Sequence, residues 1–229
     1  MIPLVIATAA AFLVALGAIA LYAPLEAVQG VAQKIFYIHV PLAWCAFVAV
    51  GVLLVSSLRF LRRSEPRHDR LARAAAEVGI VFATLVLVTG SLWGKAVWGT
   101  WWTWDGRLTS TLVLWFLLAG YVLLRSLSEG PPARTARAAA VLGVIAAVDI
   151  PIIHLSVQWW RTLHPDPVVL RAGDIGGGLT PRMLTTLSIS LAAFSLLLVT
   201  LIALRRRIAE AEDEVEALWH LPGRGDLAA

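Results

Sequence analysis

Six long apolar runs almost free of charge most strongly constrain what this chain can fold into. About 20 apolar residues are enough to cross the hydrocarbon core of a bilayer. The runs are 1–25, 40–58, 78–94, 108–124, 138–160 and 183–204. Only the fifth contains a charged residue, Asp149. The first run lacks a basic start, so we expect a helix rather than a signal peptide. The sequence predicts an all-α integral membrane protein built as a six-helix bundle.

The composition supports the same fold class. Of the 229 residues, 59% are hydrophobic and only 15% are charged, whereas soluble domains are about a quarter charged. A soluble protein of this size could not bury so much apolar surface. The single cysteine, Cys45, excludes an internal disulfide and a multi-cysteine metal site. Because Cys45 lies in an apolar run, we expect it to pack as a small hydrophobe.

The basic residues indicate the orientation of the bundle. Thirteen of the 19 Lys and Arg residues lie in 59–73, 125–137 and 205–224. Because cytoplasmic loops are rich in Lys and Arg, both termini are predicted to be cytoplasmic, in a bacterial inner membrane. The outward, periplasmic segments are then 26–39, 95–107 and 158–182. We divide the chain into a transmembrane domain over 1–207 and a short cytoplasmic tail over 208–229.

The placement of the basic residues also bears on possible partners. They flank the apolar runs, where they can anchor the chain beside anionic lipid headgroups. This position favours membrane lipid as their partner and argues against nucleic acid.

Seven of the ten tryptophans cluster at the predicted outward face. They are Trp93, Trp98, Trp101, Trp102, Trp104, Trp159 and Trp160, whereas only Trp219 belongs to the opposite side. Interfacial aromatic belts enrich tryptophan at both membrane surfaces. The one-sided cluster therefore favours a rigid platform for a flat aromatic ligand, with a plain belt as the alternative.

Two charged residues follow the tryptophan cluster. Asp105 stands just before the fourth run, where its carboxylate can cap the free backbone donors of a helix. A direct role of Asp105 in chemistry is equally open. Arg107 can pair with Asp105 or with an anionic group of a ligand, such as a carboxylate.

Three motifs carry a resemblance to a known family. WGTWWTWDGRLTS at 98–110 resembles the tryptophan-rich WWD motif of membrane haem-handling proteins, and YIHVPLAW at 37–44 and SVQWWRTLHP at 156–165 also match. In this order on a six-helix chain, they resemble the CcmC family of cytochrome c maturation. The resemblance covers about residues 31 to 206. One departure is Gly106, where the family more often has Ala.

The resemblance implies a function in haem transfer. The chain is expected to bind b-type haem transiently at the periplasmic face and to hand it to a periplasmic haem chaperone. Other expected partners are ABC transporter subunits and a small single-span subunit. Because the chain has no GxxxxGK[ST] motif, any ATP use must come from another chain. We expect a transfer protein rather than an enzyme, with assistance to covalent haem attachment left open.

Two histidines are the candidate iron ligands. His39 lies at the outer end of the second run, before Pro41, which fits the first turn of a helix. His164 lies in the third outward segment. Two neutral imidazoles can fill both axial positions of haem iron, and the resemblance implies this role for both. The expected haem-contacting residues are Trp98, Trp101, Trp102, Trp104, Asp105, Arg107, Trp159 and Trp160. Candidates for holding the propionates are Lys34, Lys95, Arg107 and Arg161.

Two other functions compete with haem transfer. An integral b-type electron carrier would hold haem permanently between histidines at membrane depth, yet only His154 lies well inside an apolar run. A permease for another solute would use the tryptophans only as a belt. Pro151 is expected to kink the fifth helix, and we interpret Asp149 and His154 as satisfying polar groups around that kink.

Overall fold

The computed structural model describes residues 1–128, 132–160, 164, 170–171, 174–175 and 178–219, and six helices dominate this part of the chain. They are α1 (Ile2–Gly17), α2 (Phe36–Arg63), α3 (Pro66–Trp98), α4 (Gly106–Leu127), α5 (Pro132–Trp159) and α6 (Pro181–Trp219). A π-helical turn prolongs α1 and a 3-10 turn precedes α2. Two short antiparallel strands, β1 (Leu170–Arg171) and β2 (Asp174–Ile175), lie between α5 and α6. All six helices are long and apolar enough to cross a membrane, which confirms the predicted fold class.

The helices extend beyond the uncharged runs that predicted them. Helix α2 begins at Phe36, so the expectation that Pro41 occupies its first turn is wrong, and Pro41 lies inside the helix. Helix α6 continues from its apolar run into the acidic segment as one helix of 39 residues. At 1.5 Å per residue it is about 58 Å long, against about 30 Å for the hydrocarbon core of a bilayer. Its end therefore projects beyond the membrane.

Small side chains let the central helices approach closely. Helices α2 and α3 form an antiparallel pair joined by a turn at Ser64, which adopts a left-handed conformation with φ of 54°. Ala49 and Ala83 are fully or almost fully buried in these helices. Close backbone approach of this kind is typical of helix packing in membranes. Cys45 is buried and unpaired, as its position in an apolar run predicts.

One end of the bundle, which we call the arginine face, comprises residues 59–77, 125–128, 132–137 and 205–213. At this end Asp69 of α3 accepts two hydrogen bonds of 2.9 Å from the guanidinium of Arg125 on α4. Further ion pairs tie α6 to α3: Arg70 to Asp213 at 2.9 Å, Arg73 to Glu212 at 3.0 Å, and Arg205 to Glu77. This network fixes the projecting end of α6 against the bundle.

The structure does not support the interpretation that Asp149 and His154 satisfy polar groups around the kink at Pro151. Asp149 is buried, and its Oδ2 atom has no hydrogen-bond partner among the residues that the structure describes. His154 is exposed. Because the two residues are five positions apart in α5, they point to different sides of the helix.

Candidate functional site

The opposite end of the bundle, which we call the tryptophan face, brings together the three segments expected to face outward. It comprises the segment leading into α2, the end of α3, the start of α4, the end of α5 and His164. All ten predicted site residues lie within the described part of the chain and belong to this end.

His39 lies in the first turn of α2 and is held by α3. Its Nδ1 atom is 2.9 Å from Oγ1 of Thr89. The imidazole lies so close to Gly90 that a Cβ atom there would stand 3.1 Å from His39 Cε1. The ring also packs edge-on against Trp93, with 5.8 Å between ring centroids. These contacts on one face of α3 fix the position of the imidazole.

The hydrogen bonds of Thr89 define which nitrogen of His39 carries the proton. Oγ1 of Thr89 donates its single proton to the carbonyl of Leu85 at 2.7 Å. The same oxygen can therefore only accept from His39, so we assign the imidazole proton to Nδ1. Nε2 of His39 then carries the free lone pair that a metal ion requires.

A second contact holds the segment before α2 against α3. The indole of Trp93 donates from Nε1 to Oε1 of Gln29 at 3.0 Å. Gln29 lies in a tight turn, because the Glu26 carboxylate accepts the backbone N–H groups of Val28 and Gln29 at 2.9 and 2.5 Å. The first outward segment is thus tied to the helix that leads into the tryptophan cluster.

The tryptophan cluster begins where α3 ends. Gly99 stops the helix in the left-handed region, with φ of 76°, where glycine meets no steric penalty. Nζ of Lys95 donates to the Gly99 carbonyl at 2.9 Å and lies 5.9 Å from the centre of the Trp101 ring. The rings of Trp102 and Trp104 pack edge to face at 5.6 Å. The cluster is therefore a defined surface rather than a loose loop.

Most of this aromatic surface is open. Four indoles are more than half exposed, namely Trp101 (56%), Trp104 (77%), Trp159 (57%) and Trp160 (53%). By contrast, Nε1 of Trp102 is buried and has no hydrogen-bond partner among the described residues. A flat ligand could therefore lie on the surface without first displacing a packed core.

Asp105 is the N-cap of α4, which confirms that prediction. Its Oδ1 atom accepts the backbone N–H groups of Arg107 and Leu108, each at 3.0 Å. Its Oδ2 atom accepts a hydrogen bond of 3.1 Å from the Thr103 hydroxyl. The same Oδ2 atom lies 3.7 Å from Nδ1 of His164. The Asp105 carboxylate thus caps α4 and also lies close to His164.

His164 lies between Asp105 and Trp98. Its side chain is 20% exposed, and its ring centroid is 5.5 Å from that of Trp98. Burial lowers the pKa of His164 below its ordinary value, and the positive charge of Arg107 acts in the same direction, while Asp105 opposes both. Burial thus favours the neutral imidazole, which is the form that binds metal.

Trp160 packs directly on the start of α4. A Cβ atom added to Gly106 would stand 2.8 Å from Cε3 of Trp160, which is closer than real Cβ contacts come. Trp160 also packs edge-on against Trp159 at 5.8 Å. Glycine at 106 is thus what allows this indole to lie against α4.

The four candidates for holding propionates differ in position. Lys34 donates to the Ala20 carbonyl at 3.0 Å. Lys95 donates to the Gly99 carbonyl at the end of α3. Arg107 lies within electrostatic range of both His39 and His164, so it is the best placed of the three described candidates. Arg161 lies outside the described residues.

Sequence reasoning missed the residues that hold His39. Thr89 and Gly90 lie within an apolar run, where a hydroxyl and a glycine are unremarkable. The sequence did hold one signal for this contact: Thr89 and Trp93 are four residues apart and therefore share one face of α3. Gln29, which holds Trp93, carried no comparable pattern.

Fold and site together define a polytopic membrane protein with two oriented imidazoles beside an open tryptophan surface at one end. A family model described as "Heme exporter protein C" (CcmC) matches residues 1–221. The chain belongs to this family.

Curated relatives agree with that assignment. A "Heme exporter protein C" of Bradyrhizobium diazoefficiens is 46% identical over 197 residues, covering 84% of this chain and 73% of the relative. The protein of the same name from Escherichia coli is 38% identical, covering 81% and 74%. A "Putative cytochrome c biosynthesis ccmC-like mitochondrial protein" of Arabidopsis thaliana is 33% identical, covering 90% and 79%.

Proposed function

We propose that this protein binds haem at the tryptophan face and hands it to a periplasmic haem chaperone during cytochrome c maturation. The observation that carries the proposal is the arrangement of the two histidines. His39 is engaged at Nδ1 by Thr89, and Nδ1 of His164 faces Asp105. Nε2 of His39 then carries the lone pair for iron, and the imidazole of His164 is the proposed second ligand.

The residues around the histidines fit a haem ligand set. Histidines that bind metals usually donate their other N–H to a carboxylate or another protein oxygen, which fixes the tautomer and the ring orientation. Thr89 supplies such an oxygen to His39 at 2.9 Å, and the carboxylate of Asp105 lies 3.7 Å from Nδ1 of His164, close enough for a charge interaction. Both axial positions of the iron would be filled by neutral imidazole, a common ligation of low-spin haem.

The open aromatic surface supports transient binding. Trp101, Trp104 and Trp160 are more than half exposed, so a porphyrin lying on them keeps one edge accessible to an acceptor. Arg107 is the proposed partner of a propionate, since guanidinium and carboxylate pair in a planar fork. An electron carrier with permanent b-type haem would bury its cofactor more deeply.

The proposed setting follows from the family and from the basic residues. We place the tryptophan face in the periplasm and both termini in the cytoplasm, in the bacterial inner membrane. The relatives named as haem exporter proteins support a role in haem export. ABC transporter subunits and a small single-span subunit are the proposed membrane partners.

The ligand assignment is tested by absorption spectra of the purified, haem-loaded protein. We expect the wild type to show low-spin, six-coordinate haem. His39→Ala and His164→Ala should each lose that spectrum. His154→Ala is the matched control, because His154 is exposed on α5, and it should keep the wild-type spectrum. Unchanged spectra in both ligand variants would contradict the proposal and favour a permease.

The hand-over is tested separately from the binding. Haem-loaded protein in detergent is mixed with a purified periplasmic haem chaperone free of haem, and the two are then separated. We expect haem to move to the chaperone. Retention of haem through repeated oxidation and reduction, without transfer, would instead indicate an electron carrier.

The orientation is tested by labelling single cysteines in intact cells. In a Cys45→Ala background, Val28→Cys lies at the tryptophan face, where Val28 is 90% exposed. Arg134→Cys lies at the arginine face, where Arg134 is also exposed. A maleimide that cannot cross the inner membrane should label the first and not the second. The reverse pattern would overturn the proposed orientation.

A further inference from the structure

A basic cavity lies at the arginine face, at the opposite end of the bundle from the proposed haem site. Its volume is about 600 Å³, within the range of small-molecule sites. Side chains from three helices line it, with α2, α3 and α6 each contributing at least one. The basic ones are Arg59, Arg62, Arg63, Arg67, His68 and Arg206.

The charges in this cavity are only partly compensated. Glu65 lies 2.5 Å from Arg67, 3.9 Å from Arg63 and 3.5 Å from His68. On α6, Glu210 pairs with Arg206 at 2.9 Å. Among the residues that the structure describes, two carboxylates thus pair with three of the five guanidinium groups that line the cavity. The cavity keeps an excess of positive charge, which an anion can balance.

Helix geometry explains why these arginines converge. Arg59 and Arg62 are three residues apart near the end of α2, so they share one side of the helix. After the sharp turn at Ser64, α3 starts at Pro66 and brings Arg67 and His68 back beside them. Arg206 extends from α6. The tendency of basic residues to flank spans accounts for their number, but not for a shared cavity between three helices.

We propose that this cavity binds a phosphate-bearing anion. Guanidinium groups match phosphate oxygens with paired, charge-assisted hydrogen bonds. Basic pockets between membrane helices are suited to lipid headgroups with more than one phosphate. Its arginines on α2 directly follow the apolar run that ends at residue 58, where headgroups are expected beside a membrane span. A soluble polyphosphate offers the same chemistry from the aqueous side. The proposal does not depend on haem binding at the other end.

The test compares both sources of phosphate on the full chain in a neutral detergent. Thermal unfolding is followed with added cardiolipin, with phosphatidylcholine, or with sodium pyrophosphate at matched ionic strength. A ligand that binds only the folded state raises the midpoint of unfolding. A shift with cardiolipin alone identifies a lipid site, and a shift with pyrophosphate identifies a site open to free phosphate.

A matched pair of variants localises the effect. Arg59→Gln/Arg62→Gln/Arg63→Gln removes three charges from the cavity, and we expect it to weaken binding about tenfold or more. Arg134→Gln/Arg137→Gln/Arg207→Gln removes three charges of the same face outside the cavity and should leave binding within about twofold of the wild type. Equal losses in both variants, or no protection by either ligand in the wild type, would overturn the proposal.

A single substitution covers the case in which the triple variant does not fold. Arg59→Gln leaves four of the five arginines in place, and Arg59 is exposed. We expect it to weaken binding of the effective ligand roughly twofold to fivefold, with Arg134→Gln as its control. Binding of the Arg59→Gln protein equal to that of Arg134→Gln would also overturn the proposal.

Discussion

The carboxylate of Asp105 caps α4 with one oxygen and lies 3.7 Å from Nδ1 of His164 with the other. The same side chain therefore caps the start of α4 and places a negative charge beside a candidate iron ligand. Because the two roles use different atoms, substitutions can separate them.

Asp105→Asn should weaken haem binding while leaving the fold intact. Asparagine is as good an N-cap as aspartate, so we expect little change in the midpoint of thermal unfolding. It carries no charge to orient and polarise His164, and loss of such a partner typically costs 10- to 100-fold in metal affinity. Haem titration of the purified variant measures the loss. Asp105→Ala should in addition lose about 1 kcal/mol of stability with the cap. Wild-type affinity in Asp105→Asn would show that the carboxylate does not support His164.

Thr89→Val should impair haem binding through His39. Valine has the shape of threonine but cannot accept the Nδ1 proton of His39, so the tautomer and ring orientation are no longer fixed. We expect roughly a 10-fold or greater loss of haem affinity, together with a changed reduction potential of the bound iron. Thr89→Ser retains the hydroxyl and should restore both values.

A control distinguishes this effect from a general loss of a threonine hydroxyl. Thr185 donates to a helical carbonyl in α6, as Thr89 does in α3. Thr185→Val should therefore leave haem affinity and potential unchanged. A wild-type potential in the Thr89→Val protein would rule out a positioning role for Thr89.

Gly106→Ala should displace Trp160. The new Cβ atom would stand 2.8 Å from the indole, and overpacking of this kind typically costs about 1–3 kcal/mol. We expect a lower midpoint of unfolding and a change in tryptophan fluorescence. Gly51→Ala is the control, because an added Cβ there meets nothing within 4 Å and alanine favours a helix by about 1 kcal/mol. Equal stabilities of the two variants would mean that Trp160 does not lie against α4.

Asp69→Asn should destabilise the arginine face. The Asp69–Arg125 pair has two hydrogen bonds, and its side chains are only 17% and 18% exposed. Loss of hydrogen bonds to a charged, largely buried group costs about 1.5–3 kcal/mol. Asp213→Asn breaks a more exposed pair with Arg70 and should cost less than about 1 kcal/mol. Chemical unfolding of both variants in detergent measures the difference. A smaller loss of unfolding free energy in Asp69→Asn than in Asp213→Asn would contradict the prediction that the Asp69–Arg125 pair contributes more stability.

The sequence predicts the spans well because uncharged runs of this length have few alternatives to a bilayer. It predicts their ends less well, since a helix continues through charged residues once they reach the headgroups, as α6 does. The cap at Asp105 was predictable because capping is local in sequence. The contact between His39 and Thr89 was not, because it joins positions 50 residues apart and depends on how α2 packs on α3.

The positions of His39 and His164 have a thermodynamic consequence for haem binding. The first is anchored to the α2–α3 pair, whereas the second sits in the segment after α5, against the start of α4. An iron bound by both imidazoles would cross-link two parts of the chain that are 125 positions apart in sequence. Binding of haem would then stabilise the tryptophan face, and a protein that accepts the haem would also have to break this link between the two parts of the chain.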